Sequence, residues 1–376
     1  MRHNVICRSD CIFYKIKIWI EFGFNAYSFT LNQKRIIMKN LLGVSVSILV
    51  MVCYLTINVQ AKKSSYRIAK TIQLTGDGGW DYLSVDEINH LLYVSHGTQV
   101  NVVDLKKGEQ VAVIPNTEGV HGIAVANDIK RAFISCGRDS SVSVIEKGSF
   151  KLIAKVNVTG KNPDAILYDQ YSKKVFTFNG RTSNATVLDA NTLKVVATIP
   201  LSGKPEFAQT DGKGSIFVNI EDKNSLTIIN ANTLKVEKNW SITPGEEPSG
   251  LALDRANNRL FSVCSNKMMI VSDAKTGKTI TSVPIGDGCD GVAFDPSTKR
   301  IFSSNGEGTM TVIQQLSADK YQVLENFATQ PGARTITVDP TTHHIYLSVG
   351  EYLPGTERRR PVKPNSFTIL DIEPVK

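Results

Sequence analysis

Seven residues recur along the chain at intervals of 40, 43, 42, 43, 41 and 44: Asp81, His121, Asp164, Glu206, Ser249, Asp290 and Arg334. Four are carboxylic acids, one is an imidazole and one a guanidinium. If the fold brings them together, crowded carboxylates resist simultaneous ionisation, and some of their pKa values rise unless a cation sits among them. Asp81, His121, Asp164 and Glu206 could then hold a polar ligand or a divalent cation. Oxygen donors suit Ca²⁺ or Mg²⁺, and the imidazole admits a transition metal. The same groups could instead support metal-assisted hydrolysis, with Glu206 or Asp164 as base and Arg334 holding a developing oxyanion. The plain alternative is a hydrated polar rim. No cofactor is firmly implied, and a divalent cation is one the donor set could hold.

These residues must be positioned by a repeat, and one is visible. DEINHLLYVSHG, DRANNRLFSVCS, DPSTKRIFSSNG and DPTTHHIYLSVG each open on an acid, pass a basic or polar residue and enter a strand with an aromatic. That aromatic recurs as Tyr93, Phe133, Phe176, Phe217, Phe261, Phe302 and Tyr346, and an acid precedes it in six of the seven units. The third unit holds four β-rich stretches, Asp164–Tyr168, Lys174–Phe178, Ala185–Leu188 and Lys194–Ile199, separated by turn residues. Nothing after Ala61 has the period of a long amphipathic helix. Four strands per unit, seven times, predicts an all-β, seven-bladed β-propeller of four-stranded blades. The last unit has room for only three strands before Lys376, so the strand Tyr66–Leu74 is expected to complete it and close the ring. The recurring chemical residue would then start each innermost strand at the mouth of the central channel.

ATVLDANTLKVVATIP (Ala185–Pro200) and KNPDAILYD (Lys161–Asp169) resemble the YVTN repeats of YncE-like seven-bladed propellers. The resemblance extends over nearly all of residues 66–376. It implies a propeller fold and secretion, and no single activity, because lactonase-type propellers and the haem-binding propellers of cytochrome nitrite reductases share that superfamily. A lactonase-like hydrolase using the His/carboxylate ring, or a haem-handling propeller with His121 as axial ligand, are therefore alternatives to simple binding. The sequence has no CxxCH for covalent c-type haem, no G-x-S-x-G elbow, no P-loop, no GxGxxG and no CxxC.

A second ring is expected from the other loops of the same face: His96, Arg138, Asn179, Arg181, Asn219, Glu221, Asn305, Glu307 and Glu351, with Trp80 placed to stack on a flat ligand. The long loop Gly350–Asn365 carries Arg358-Arg359-Arg360 and Lys363 and would overhang the mouth as a basic lid or a mobile surface loop. Cys264 and Cys289 fall on neighbouring blades of that face, either as a disulfide or as free thiols. His343-His344 sits on the opposite face with no assigned role.

Residues 1–61 belong to a different regime. Met38-Lys39-Asn40, the uncharged run Leu41–Ile57 and Val59-Gln60-Ala61 read as a signal peptide over 38–61, and 1–37 as an over-extended start. The 376-residue chain has a formal charge of +8, but removing residues 1–61 takes seven bases and two acids with it and leaves +3. The expected mature protein, residues 62–376, is thus a nearly neutral, monomeric, periplasmic or secreted propeller with no stable membrane span. It binds a small polar ligand or a protein partner at the funnel, without catalysis. Nucleic acid is a poor match for so small a net charge.

Overall fold

The structure is a computed structural model that describes residues 64–354 and 361–375, together with Gln33. The chain divides into Met1–Lys63 and Ser64–Lys376. The readings of 1–37, of the signal segment 38–61 and of Arg358–Arg360 fall outside the described residues, Gln33 apart.

Residues from Ser64 onward build seven four-stranded antiparallel sheets. In blades one to six the strands follow in chain order from the channel outward. The innermost are Trp80–Asp86, Val120–Ala126, Pro163–Asp169, Pro205–Thr210, Pro248–Asp254 and Cys289–Asp295. Blade seven takes Thr335–Val338, Ile345–Val349 and Thr368–Pro374 from the end of the chain, and Tyr66–Gln73 as its outermost strand. The register pairs Tyr66 with Pro374 and Gln73 with Thr368. Between Ser64 and Val375 the helical elements among the described residues are two short 3₁₀ turns, Asn127–Ile129 and Glu221–Lys223. No helix among them is long and apolar enough to cross a membrane.

The repeat pattern has a direct physical meaning. The recurring acid caps the turn between the first and second strands. Asp254 accepts the amides of Ala256 and Asn257, Asp295 that of Ser297, and Asp339 that of Thr341, the Asx geometry that favours Asp in such turns. The recurring aromatic is buried and packs against the next blade. Phe133 stacks on Tyr168 at 6.3 Å, Phe261 meets Phe294 at 5.4 Å, and Phe302 meets the closing strand's Tyr66 edge-on at 5.6 Å. Arg300 adds a hydrogen bond to the Tyr66 hydroxyl at 2.6 Å. Each core is therefore an interface between wedges: most draw their apolar residues from two neighbouring repeats, and the one at the closure from blades six, seven and one.

Phe302→Ala removes the ring that joins blade six to the closing strand. It should destabilise the protein by about 3–5 kcal/mol, read as a lower urea midpoint. A loss below ~1 kcal/mol would show that closure does not rest on this contact.

Candidate functional site

The innermost strands share an irregularity that places the mouth residues. In six blades the register with the second strand slips just inside the strand start: between Trp80 and Leu83, Val120 and Ile123, Pro163 and Ile166, Pro205 and Ala208, Pro248 and Leu251, and Cys289 and Gly291. Asp81, His121, Asp164, Glu206, Ser249 and Asp290 all fall in these bulges. A bulged residue leaves the ladder and its side chain is re-aimed. Arg334 lies just ahead of its strand, outside the ladder as well. Neighbouring blades hold several bulges in place. Ser135 donates to the Asp164 carbonyl at 2.6 Å, Thr335 to that of Asp81 at 2.8 Å, and Asn219 to those of Ser249 and Gly250 at 3.1 and 3.0 Å.

Three ionic groupings result. His121 Nδ1 lies 2.7 Å from Asp81 Oδ2 and 3.5 Å from Asp164 Oδ1. Glu206 is buried and takes a 2.7 Å hydrogen bond from Lys204 Nζ, which also contacts Glu221. Arg334 donates through Nε to Asp290 Oδ2 at 2.8 Å and through Nη2 to the Trp80 carbonyl at 2.8 Å. Arg334 is thus the counter-ion of Asp290. Lys204 has no counterpart in the ring read from the repeat, although it stands two residues before Glu206.

Beneath the ring two aromatic side chains meet across the channel. Tyr82, from blade one, meets Phe207, from blade four, edge-on at 5.1 Å. The site is consequently a cup with an aromatic floor. Burial pushes the Tyr82 phenol well above its usual range, and the charges of Asp164, Asp81, Glu206 and Asp290 push the same way. Burial, with the charge of Asp81 added, lifts Asp164 to about 7. Burial and the charge of Asp164 lift Glu206 to about 8 against the opposing Lys204. Burial also lifts Asp290, against Arg334. Burial alone would depress His121, but its hydrogen bond to Asp81 and the charge of Asp164 prevail and hold it at about 9. Five carboxyl groups thus face three cations, and the excess negative charge is relieved by protonation or by a bound cation. Asp81, His121 and Asp164 offer donor atoms within 4.8 Å of one another, the spacing a metal ion requires.

The second ring is only partly at the mouth. His96 is fully buried, its ring 4.0 Å from that of Phe367. Asn179 and Asn305 are buried as well, bonded to Asn184 and Thr186 and to Thr309 and Thr311. His96, Asn179 and Asn305 each end a second strand, where the residue is still paired and keeps its strand parity, whereas Asn219 stands one residue before its strand's end and reaches across to blade five. Trp80 is buried too, flanked by Tyr352 and Phe367 at 5.6 Å, with Arg334 over its ring at 5.7 Å. It forms a wall of a recess of about 900 Å³ with Tyr352 and Val362 and offers no free face for stacking. Arg138, Arg181, Glu307 and Glu351 are exposed; Arg138 approaches Glu118 at 3.3 Å and Glu351 pairs with Lys363 at 2.7 Å. The described ends of the long loop are tied by a Tyr352–Val362 bridge. Cys264 and Cys289 are free thiols, with Cys289 Sγ donating to the Cys264 carbonyl at 3.0 Å.

No protein-family model and no curated protein matches the sequence. Solved structures do match in shape. A chain of the Kuenenia stuttgartiensis hydrazine synthase superposes with a TM-score of 0.66 at 16% identity, covering 83% of this chain and 98% of that one. The RRP9 WD40 repeats give 0.68 at 11% identity, covering 82% and 99%. The fold is that of a WD40-like seven-bladed propeller. A chain of the mitotic checkpoint complex adds a third likeness, with a TM-score of 0.66 at 12% identity over 77% of this chain and 90% of that one. At such identities the likeness carries the fold alone.

The raised carboxyl groups carry a pH signature. Folded Asp164 and Glu206 keep protons that the unfolded chain releases near pH 4, and folded His121 keeps one that the unfolded chain releases near 6.5. The folded state binds more protons, so stability falls as pH rises through about 7 to 9. The melting temperature should drop between pH 6.5 and 8.5, and less steeply in Glu206→Gln. An equal slope in that variant would place the titration elsewhere.

Proposed function

We propose that this chain is an exported propeller of the YncE-like, YVTN-repeat kind that binds a small polar ligand in the funnel of its central channel, without catalysing a reaction. The observation that carries the reading is the cup itself. Asp81, Asp164, Glu206, Glu221 and Asp290 outnumber His121, Lys204 and Arg334 above a floor formed by Tyr82 and Phe207. Such a cup favours a ligand that presents a cationic group to the carboxylates and hydrogen-bonding groups to the rim. Export is supported by the apolar run Leu41–Ile57 with Val59-Gln60-Ala61 behind it, and the YncE-like assignment by the repeats at Lys161–Asp169 and Ala185–Pro200.

Absence of catalysis is supported by the state of the nucleophiles near the funnel. The hydroxyls of Ser135 and Thr335 are spent on carbonyls. Burial pushes the Cys264 and Cys289 thiols up to about 12, far from the thiolate that nucleophilic attack needs. Nothing favours haem at His121, whose Nδ1 faces carboxylates and whose Nε2 lies against Gly137, where a Cβ would approach to 2.6 Å.

A screen of small amines, zwitterions and sugars should yield a compound that raises the melting temperature of the full chain. Its affinity should fall at least ~10-fold in His121→Ala and in Glu206→Gln. Compounds that bind both variants as tightly as the parent would move the site away from the funnel.

One observation favours a second reading, metal-assisted hydrolysis of a lactone: the convergent donor atoms of Asp81, His121 and Asp164. Metal analysis of the purified chain decides it. A bound divalent ion whose removal by chelator lowers the melting temperature supports the reading. A metal-free protein indifferent to both chelator and added divalent ions sinks it.

A further inference from the structure

On the face opposite the funnel, the residue that opens the second strand is basic in four blades and Leu91, Ser215 or Ile345 in the other three, and Ser215 is the only small polar one. The basic residue is Arg131 in blade two, Lys174 in blade three, Arg259 in blade five and Arg300 in blade six. All three arginines cross to the neighbouring blade, Arg300 to the hydroxyl of Tyr66 in the closing strand. Arg131 donates to the Ala190 and Asn191 carbonyls at 2.6 and 3.0 Å, and Arg259 reaches the Ala318 carbonyl at 3.2 Å and Asp319 Oδ1 at 2.7 Å. Both contacts end on the turn before the neighbour's outermost strand, where they fasten the two wedges together.

Blade four has Ser215 at this position. Its turn is also one residue shorter, and Asp211 caps it by accepting the amides of Lys213 and Ser215. The serine side chain cannot span to blade five, and a cavity of about 550 Å³ opens there. The recess on the corresponding side of the junction between blades seven and one measures only about 170 Å³.

The walls of the larger cavity say what it would accept. Phe217, Ile228 and Leu253 give it an apolar floor. Trp240 forms one side, with Gly277 against its ring so closely that a Cβ would fall within the indole, and Lys238 Nζ lies 5.9 Å from the ring centre. The lining charges are four bases, Lys213, Lys238, Arg255 and Lys275, against two acids. Both acids are engaged: Asp211 with the turn amides and Glu237 with Asn230 at 2.8 Å. Arg255 donates to the Thr210 carbonyl. Among the described residues the three lysines enter no ion pair.

We propose that this cleft is a docking site for an acidic peptide segment of a protein partner. One apolar side chain of the segment seats on the Phe217–Ile228–Leu253 floor, and its flanking carboxylates meet the three lysines. The volume lies within the range of about 300–1,000 Å³ typical of ligand pockets. The charge on the rim selects for acidic flanks by complementarity. This inference is independent of the funnel ligand, because the cleft lies on the other face and shares no residue with the cup.

The test restores the residue that the repeat carries elsewhere. Ser215→Arg should fill the cleft while keeping the melting temperature at or above that of the parent, which establishes folding. Peptides selected from a random library on the full chain should carry Asp or Glu around one large apolar residue. Their affinity should fall at least ~10-fold in Ser215→Arg and in Lys238→Glu, and should weaken as salt is raised. The proposal is overturned if no acidic peptide is enriched, or if the enriched peptides bind both variants as they bind the parent. It is overturned equally if citrate or inorganic phosphate binds in a Ser215-dependent way and no peptide does, which would make the cleft a small-anion site.

Discussion

Six of the seven innermost strands break their ladder just inside their start, and the funnel depends on that break. A regular strand would alternate its side chains between the two neighbouring blades, and none would point along the channel. The bulge frees a single residue per blade to turn inward. Its backbone would be left poorly satisfied were it not for the next wedge. Hydroxyl and amide groups of Ser135, Asn219 and Thr335 reach across the blade boundary to the carbonyls at or beside the bulges. The ring is thereby coupled to its own closure: the wedges position the bulges, and the bulges stitch the wedges.

This geometry imposes an electrostatic problem that the chain resolves locally. Carboxyl groups converging over a floor of Tyr82 and Phe207 lose water on one side. The chain interleaves cations, Lys204 from the same loop as Glu206 and Arg334 from the blade next to that of Asp290, and accepts protons on the remainder. The result is a cup with nearly balanced charge whose balance is adjustable, because Asp164, Glu206 and His121 all titrate between about 7 and 9. A positively charged ligand would replace protons that burial has forced onto the acids.

Departures from the repeat are more informative than the repeat. Where an arginine crosses to the next blade, the junction is sealed and has a structural role only. Where Ser215 replaces it, apolar surface and unpaired lysines remain between blades four and five. Blade seven departs differently: its second and third strands are separated by a longer stretch of chain, of which Tyr352 and Val362 form a bridge and line the recess beside Trp80. Sevenfold pseudosymmetry supplies seven equivalent places, and the ones that differ are those where binding energy can be concentrated.

Much of this was legible in the sequence. The repeated aromatic, the turn acid and four short strands per unit specify blades, because each is a local requirement of strand, turn or wedge packing. The ring residues Asp81, His121, Asp164, Glu206, Asp290 and Arg334 were legible for the same reason, since one repeated position in seven equivalent wedges has one place to go. The partners of those residues were not. Lys204 carries no repeat signal, and the Tyr82–Phe207 contact joins blades one and four, whose side chains meet only across the closed ring. The inward turn of His96, Asn179, Asn219 and Asn305 depends on strand parity, which loop lengths read from the chain leave open by one residue. Short-range pattern thus determined the wedges and their ring. The charge balance, the aromatic floor and the open cleft at Ser215 were decided by distances between residues far apart in the chain, and those exist only once the seven wedges have met.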